Sequence, residues 1–139
     1  MIQIHPYYLS ITSGISFISI GIYYLFKKKS LKKNILAIIL FICLFLSQIF
    51  WNNPIQHSLI HKIDAFVAKI TTILFFTYVF YKSYLNSSLY IYVLLSFFTI
   101  ISFYRSNYYS NKVWCCHEHL FNHGMLHIIG FFISLSVFT

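Results

Sequence analysis

The stretch that decides the fold class is residues 34–51, which read NILAIILFICLFLSQIFW. Apart from Asn34, Ser47 and Gln48 these residues are apolar, and none of them is charged. At a rise of about 1.5 Å per residue, a helix of this length crosses most of a bilayer core roughly 30 Å thick. Its apolar residues are not confined to one face, which is typical of a helix in lipid. The stretch therefore predicts a transmembrane helix.

Four further apolar stretches flank it, at about residues 7–26, 63–81, 84–104 and 120–138. The composition agrees, because 59% of the residues are hydrophobic and only 9% are charged, whereas a soluble domain carries about 25% charged residues. We therefore predict an all-α fold, a polytopic transmembrane helical bundle of about five spans that forms a single domain over residues 1–139.

The positive charge of the chain is concentrated between the first two spans. The formal net charge is +8, and half of the ten basic residues are Lys27, Lys28, Lys29, Lys32 and Lys33. A basic loop between apolar stretches is a topology signal and a contact for anionic lipid, so we do not expect nucleic acid as a partner. The first stretch is expected to be a retained span, with the N-terminus outside or lumenal and the C-terminus cytoplasmic.

This topology gathers the histidines on one side of the membrane. Span two ends, and spans three and five begin, at the outer face. The residues that the topology places there are all seven histidines and both acidic residues of the chain: His5, His57, His61, Asp64, His117, Glu118, His119, His123 and His127.

The spacing of these histidines favours a metal site. His57 and His61 are four residues apart, and His119, His123 and His127 continue that spacing along the last span. Two histidines four apart on a helix can direct ring nitrogens at one metal ion, and zinc suits an imidazole-rich site. We predict zinc bound by His61, His123 and His127, with an open position for a water whose pKa the ion lowers to about 7.

Two further residues have chemistry that would assist a zinc-bound water. Asp64 is predicted to act as general base, or to orient a ligand imidazole. Ser47, one helical turn before the end of span two, is predicted to donate a hydrogen bond to the scissile carbonyl. Cys115 and Cys116 are alternative soft ligands, whereas Glu118 lies in a first helical turn, where a carboxylate is favoured by the helix dipole.

The segment His123-Gly-Met-Leu-His127 resembles the HxxxH motif of the alkaline ceramidase, adiponectin receptor and Per1 superfamily of intramembrane hydrolases. That superfamily also carries a serine near the end of an early helix and an aspartate at the start of the next, and Ser47 and Asp64 stand at those places. The resemblance implies a zinc ion held by three histidines, with the serine and the aspartate assisting hydrolysis of the amide bond in a lipid such as ceramide.

The chain departs from the superfamily pattern at two points. The superfamily places its third zinc ligand four residues after the serine, where this chain has Trp51. Either His61 or His57 supplies that ligand from span three, or the site is altered or inactive. The superfamily has seven spans, whereas this chain has five apolar stretches. The resemblance is carried by residues 47–64 and by the last helix.

The sequence thus predicts a zinc-dependent hydrolase of lipid amides, with membrane lipid as its partner and the source of its substrate. Two alternatives remain open. One is a non-enzymatic small membrane protein such as a transporter, a channel subunit or an assembly factor. The other is a haem-binding or electron-transfer protein with one axial histidine from span three and one from span five.

Overall fold

The computed structural model describes residues 5–26, 28–84 and 88–139, and within these ranges the chain forms helices and short turns without any strand. This confirms the predicted all-α fold class. In chain order the helices are α1 (Tyr7–Gly14), α2 (Phe17–Phe26), α3 (Leu31–Asn52), α4 (Leu59–Ser83), α5 (Leu89–Lys112) and α6 (His117–Phe138).

In the described part of the chain, five helical segments are long and apolar enough to cross a membrane, as predicted. The first consists of α1 and α2, which are separated by a turn at residues 15 and 16. The helices extend beyond the apolar stretches where a polar residue caps them. Helix α4, for example, begins at Leu59 because the Ser58 hydroxyl accepts a hydrogen bond from the backbone N–H of His61 at 3.2 Å.

Helix α5 shows most clearly that the bundle is built for lipid. The residues that it buries are Ser102 and Ser106, whereas large apolar side chains such as Phe97, Phe98 and Ile100 are exposed. A soluble protein does not display an apolar surface of this extent, and small polar residues at helix contacts are typical of membrane bundles. The chain is therefore a multi-pass membrane protein.

The first span packs in parallel beside α6. Ser19 donates a hydrogen bond to Ser134 at 2.9 Å across this contact. Closer to the start of both helices, Gly124 lies so near Tyr8 that a Cβ on the glycine would stand 2.7 Å from Tyr8 Cε1. The absence of a side chain at Gly124 thus permits the close approach of α1 to α6.

The bundle has two chemically different ends. Helices α3 and α5 end at one end of the bundle, and α4 and α6 begin there; we term it the histidine end. The opposite end, at which α3 begins, is termed the basic end. The main apolar core lies between the helices toward the basic end, around Leu40, Phe75 and Ile133. A smaller buried cluster at the histidine end consists of Leu9, Phe50, Trp51 and Leu120.

Candidate functional site

The candidate site begins with a row of three histidines on α6. Because residues four apart lie on neighbouring turns of one helix face, the rings of His119, His123 and His127 follow one another into the bundle. The ring centroids of His119 and His123 are 5.8 Å apart, and those of His123 and His127 are 5.0 Å apart. The structure thus brings together the two predicted zinc ligands of the last span.

The two deeper imidazoles are held by hydroxyl groups of other helices. Thr12 Oγ1 of α1 lies 2.9 Å from Nδ1 of His127, and Ser106 Oγ of α5 lies 3.2 Å from Nδ1 of His123. When the Thr12 hydroxyl donates its one proton to the Leu9 carbonyl, 3.3 Å away, it accepts from an Nδ1–H of His127. That tautomer leaves the Nε2 lone pair of His127 for a metal ion or a proton.

His61 and His119 have the opposite arrangement. Nδ1 of His61 accepts the backbone N–H of His57 at 3.0 Å, and Nδ1 of His119 accepts the backbone N–H of Cys115 at 3.2 Å. An imidazole that accepts at Nδ1 carries its proton on Nε2 when it is neutral. In this arrangement Nε2 of His61 and of His119 is a hydrogen-bond donor.

Aromatic rings separate His61 from the deeper histidines. The ring of His61 lies parallel to the Phe50 ring, with the two centroids 4.8 Å apart, and its centroid is 5.2 Å from that of Trp114. The indoles of Trp114 and Trp51 stack at 6.2 Å, and Trp51 meets His123 edge-on at 4.9 Å. The described ring contacts of His61 are thus with Phe50, His57 and Trp114.

Trp51 occupies the position at which the superfamily resemblance expects a zinc ligand. Its side chain is 1% exposed, and its Nε1 is one of two buried side-chain polar atoms without a hydrogen-bond partner among the described residues. The other is Oδ1 of Asp64, a residue that is 6% exposed near the start of α4. A buried carboxylate oxygen without a partner is costly in free energy, which marks Asp64 as a candidate functional residue.

The remaining predicted residues differ in burial. Ser47 is buried on α3, one turn before Trp51. His57, His117 and Glu118 are exposed at the histidine end. Cys115 is partly buried, and burial raises the pKa of its thiol to about 11, so the thiol keeps its proton at neutral pH.

Within the described ranges, no three side chains from histidine, cysteine, aspartate and glutamate are grouped as a metal site would need. The imidazoles of His123 and His127 are neighbours, with ring centroids 5.0 Å apart, and zinc bound by them stays a prediction. The three-histidine site with His61 stays a prediction.

Comparison of the chain with family models, with curated proteins and with solved structures finds no match.

Three residues of this centre have no signal in the sequence that points to their role. Thr12 and Ser106 meet the histidines only because α1 and α5 pack against α6, and a hydroxyl in an apolar stretch does not indicate its partner. Trp114 lies just before α6, where an aromatic residue is usually interpreted as an anchor at the membrane surface.

Proposed function

We propose that the protein is a membrane-embedded, zinc-dependent hydrolase of lipid amides, with His123 and His127 as zinc ligands. The observation that carries this proposal is the 2.9 Å contact between the Thr12 hydroxyl and Nδ1 of His127. With the hydroxyl as acceptor, Nε2 of His127 is left to bind a metal ion. Metal-bound histidines have this arrangement, because a partner on the second nitrogen fixes the tautomer and the orientation of the ring.

Zinc would supply a Lewis acid and a bound water with a lowered pKa. The chain itself would supply the groups that handle protons and orient the substrate. Asp64 would accept a proton as general base, and its unpartnered Oδ1 supports that role. The buried Ser47 hydroxyl would donate a hydrogen bond to the scissile carbonyl.

The location of the histidines favours a lipid as substrate. His123 and His127 lie between about one and three helical turns after the start of α6, inside a segment apolar enough to span the membrane. A polar bond that reacts at this depth belongs to a molecule that partitions into the bilayer. A lipid amide meets that requirement, whereas a charged water-soluble substrate does not.

A second candidate function, a non-enzymatic membrane protein, is favoured by the tryptophan layer. Trp51 and Trp114 fill the space between His61 and His123, where a three-histidine enzyme would hold its metal. The substitution Trp51→His separates the two candidates. In an altered hydrolase it supplies the third ligand and raises zinc affinity, whereas in a scaffold it creates a cavity and lowers thermal stability without a gain in zinc binding.

The direct test of the hydrolase is the release of fatty acid from a long-chain N-acyl lipid in proteoliposomes that contain the purified protein. Asp64→Asn should lower turnover by about 100-fold or more while leaving zinc content unchanged. Glu118→Gln is the matched control, because Glu118 is exposed in the first turn of α6, and it should keep the parent's turnover. Zinc-loaded protein that releases no fatty acid, or an Asp64→Asn variant with full turnover, would contradict the proposal.

A further inference from the structure

The start of α4 contains an unusual hydrogen bond from the loop to a histidine ring. Ser58 is the N-cap residue, and His61 is the third residue of the helix. The imidazole of His61 turns back and accepts the backbone N–H of His57, the residue that precedes the N-cap. In the familiar capping box, a Glu or Gln at the same helix position accepts the N–H of the cap residue itself.

The start of α6 repeats this arrangement. Cys116 is the N-cap residue and His119 the third residue of the helix. The imidazole of His119 accepts the backbone N–H of Cys115, which again precedes the cap. Two helices that are distant in the sequence thus begin with the same junction at the same end of the bundle.

A rare backbone conformation accompanies both junctions. His57 has a φ angle of 62° and Cys115 one of 57°, and they are the non-glycine residues with positive φ in the described part of the chain. Residues with a side chain seldom adopt this conformation, because it brings Cβ too close to the backbone. Both residues whose backbone N–H faces an imidazole have a positive φ angle. The ring contact and the strained backbone therefore occur together at each junction.

Trp114 joins the two junctions. The centroid of its ring lies 5.2 Å from that of His61 and 4.9 Å from that of His119. Its Nε1 donates a hydrogen bond to the carbonyl of Pro54, in the loop between α3 and α4, at 3.1 Å. Gln56 donates to the carbonyl of Ser110, in the last turn of α5, at 3.0 Å. The two loops are therefore fastened to each other as well as to their own helices.

We infer that His61 and His119 are paired positioning residues that cap α4 and α6 and hold Trp114 between them, and that neither is a zinc ligand. A metal ion needs an unprotonated ring nitrogen, but Nδ1 of each ring is occupied by a backbone N–H and Nε2 carries the proton. Ligation would break the cap at a residue with positive φ. This inference stands whether or not the protein is a hydrolase.

Two substitutions at each histidine distinguish a cap from a ligand. Glutamine keeps an acceptor long enough to reach the loop N–H but removes the imidazole, whereas alanine removes both. We expect His61→Gln and His119→Gln to keep the parent's zinc content and most of its thermal stability. The corresponding alanine variants should keep zinc but unfold several degrees lower. Loss of zinc from the glutamine variants would show that these residues are ligands and overturn the inference.

The tautomer gives a readout that a general loss of stability does not affect. With ¹⁵N-labelled histidine, the ring signals of His61 and His119 should show an unprotonated Nδ1 and a protonated Nε2, assigned from their disappearance in the glutamine variants. Protonated Nδ1 in either ring would contradict the cap.

A third pair of variants tests the strained backbone. Glycine accepts positive φ at little cost, so His57→Gly and Cys115→Gly should raise the unfolding temperature and should recover part of the loss in His61→Ala and His119→Ala respectively. A lower unfolding temperature in both single variants would contradict the proposed junction. If the parent binds no zinc, the proposed function fails, while the thermal and tautomer measurements still decide the capping role.

Discussion

At the scale of single residues, the partner of Nδ1 decides what each histidine can do. When the Thr12 hydroxyl donates its proton to the Leu9 carbonyl, Nδ1 of His127 keeps a hydrogen and Nε2 can bind. Beside a backbone N–H, Nδ1 of His61 has to accept, and Nε2 is protonated. Residues of the same type at similar helical spacing therefore have different chemistry.

Removal of the Thr12 hydroxyl should weaken zinc binding. In Thr12→Val the side chain keeps its shape, but Nδ1–H of His127 loses its acceptor, and partners of metal-bound histidines typically contribute about 10–100-fold in affinity. Competition with a chelator of known affinity measures the change. Thr72→Val is the control, because that hydroxyl is exposed and bonds only to the Ala68 carbonyl of its own helix. Equal zinc affinity in Thr12→Val and Thr72→Val would contradict the assigned tautomer.

The sequence reveals the histidine spacing but not these partners. His123 and His127 can be identified from the HxxxH segment, and Trp51 from its place after Ser47. The contact between Thr12 and His127 joins residues 115 positions apart, so it depends on which helices become neighbours. The hydropathy of a span does not indicate which helices it packs against, because each transmembrane helix satisfies its backbone hydrogen bonds internally whatever its neighbours.

At the scale of helices, the N-caps at serine are predictable and the histidine junctions are not. Ser30 and Ser58 each precede an apolar stretch, and each accepts a backbone N–H from the first turn of its helix, at 3.3 Å and 3.2 Å. Positive φ is ordinarily a property of glycine or asparagine. The chain has His57 and Cys115 at those positions instead, so composition gives no signal for the two strained turns.

The close contact between α1 and α6 should make Gly124 intolerant of a side chain. In Gly124→Ala the new Cβ would overlap the Tyr8 ring, so that ring or α1 has to shift, at a cost of about 1–3 kcal/mol in unfolding free energy. Thermal or denaturant unfolding in detergent measures the loss. Gly130→Ala is the control on the same helix, because a Cβ there meets no heavy atom within 4 Å, and alanine should stabilise the helix by up to about 1 kcal/mol. Equal stability of the two variants would show that α1 does not pack on Gly124.

At the scale of the whole molecule, the number of spans and their apolar character follow directly from the sequence, since long uncharged stretches fit few structures other than membrane helices. The arrangement of the spans does not follow. The first and last spans lie side by side in parallel, as the bond from Ser19 to Ser134 shows. Serines in an apolar stretch are compatible with contact to any neighbouring helix.

The positive-inside rule predicts that the basic end faces the cytoplasm. In a background with the native cysteines replaced by serine, an impermeant maleimide should label Lys62→Cys in intact cells and Lys28→Cys only after permeabilisation. Both lysines are exposed, at opposite ends of the bundle. Labelling of Lys28→Cys in intact cells, with Lys62→Cys protected, would reverse the orientation.

The central claim is that His123 and His127 hold a zinc ion inside the bundle, and metal analysis of detergent-purified protein tests it most directly. The parent and the variants His123→Ala, His127→Ala and His5→Ala should be measured together, with folding of each verified by its helical circular dichroism. We expect stoichiometric zinc in the parent and in His5→Ala, whose histidine is exposed outside the site, and loss of zinc in the other two variants. A parent without zinc, or full zinc in both His123→Ala and His127→Ala, would contradict the claim.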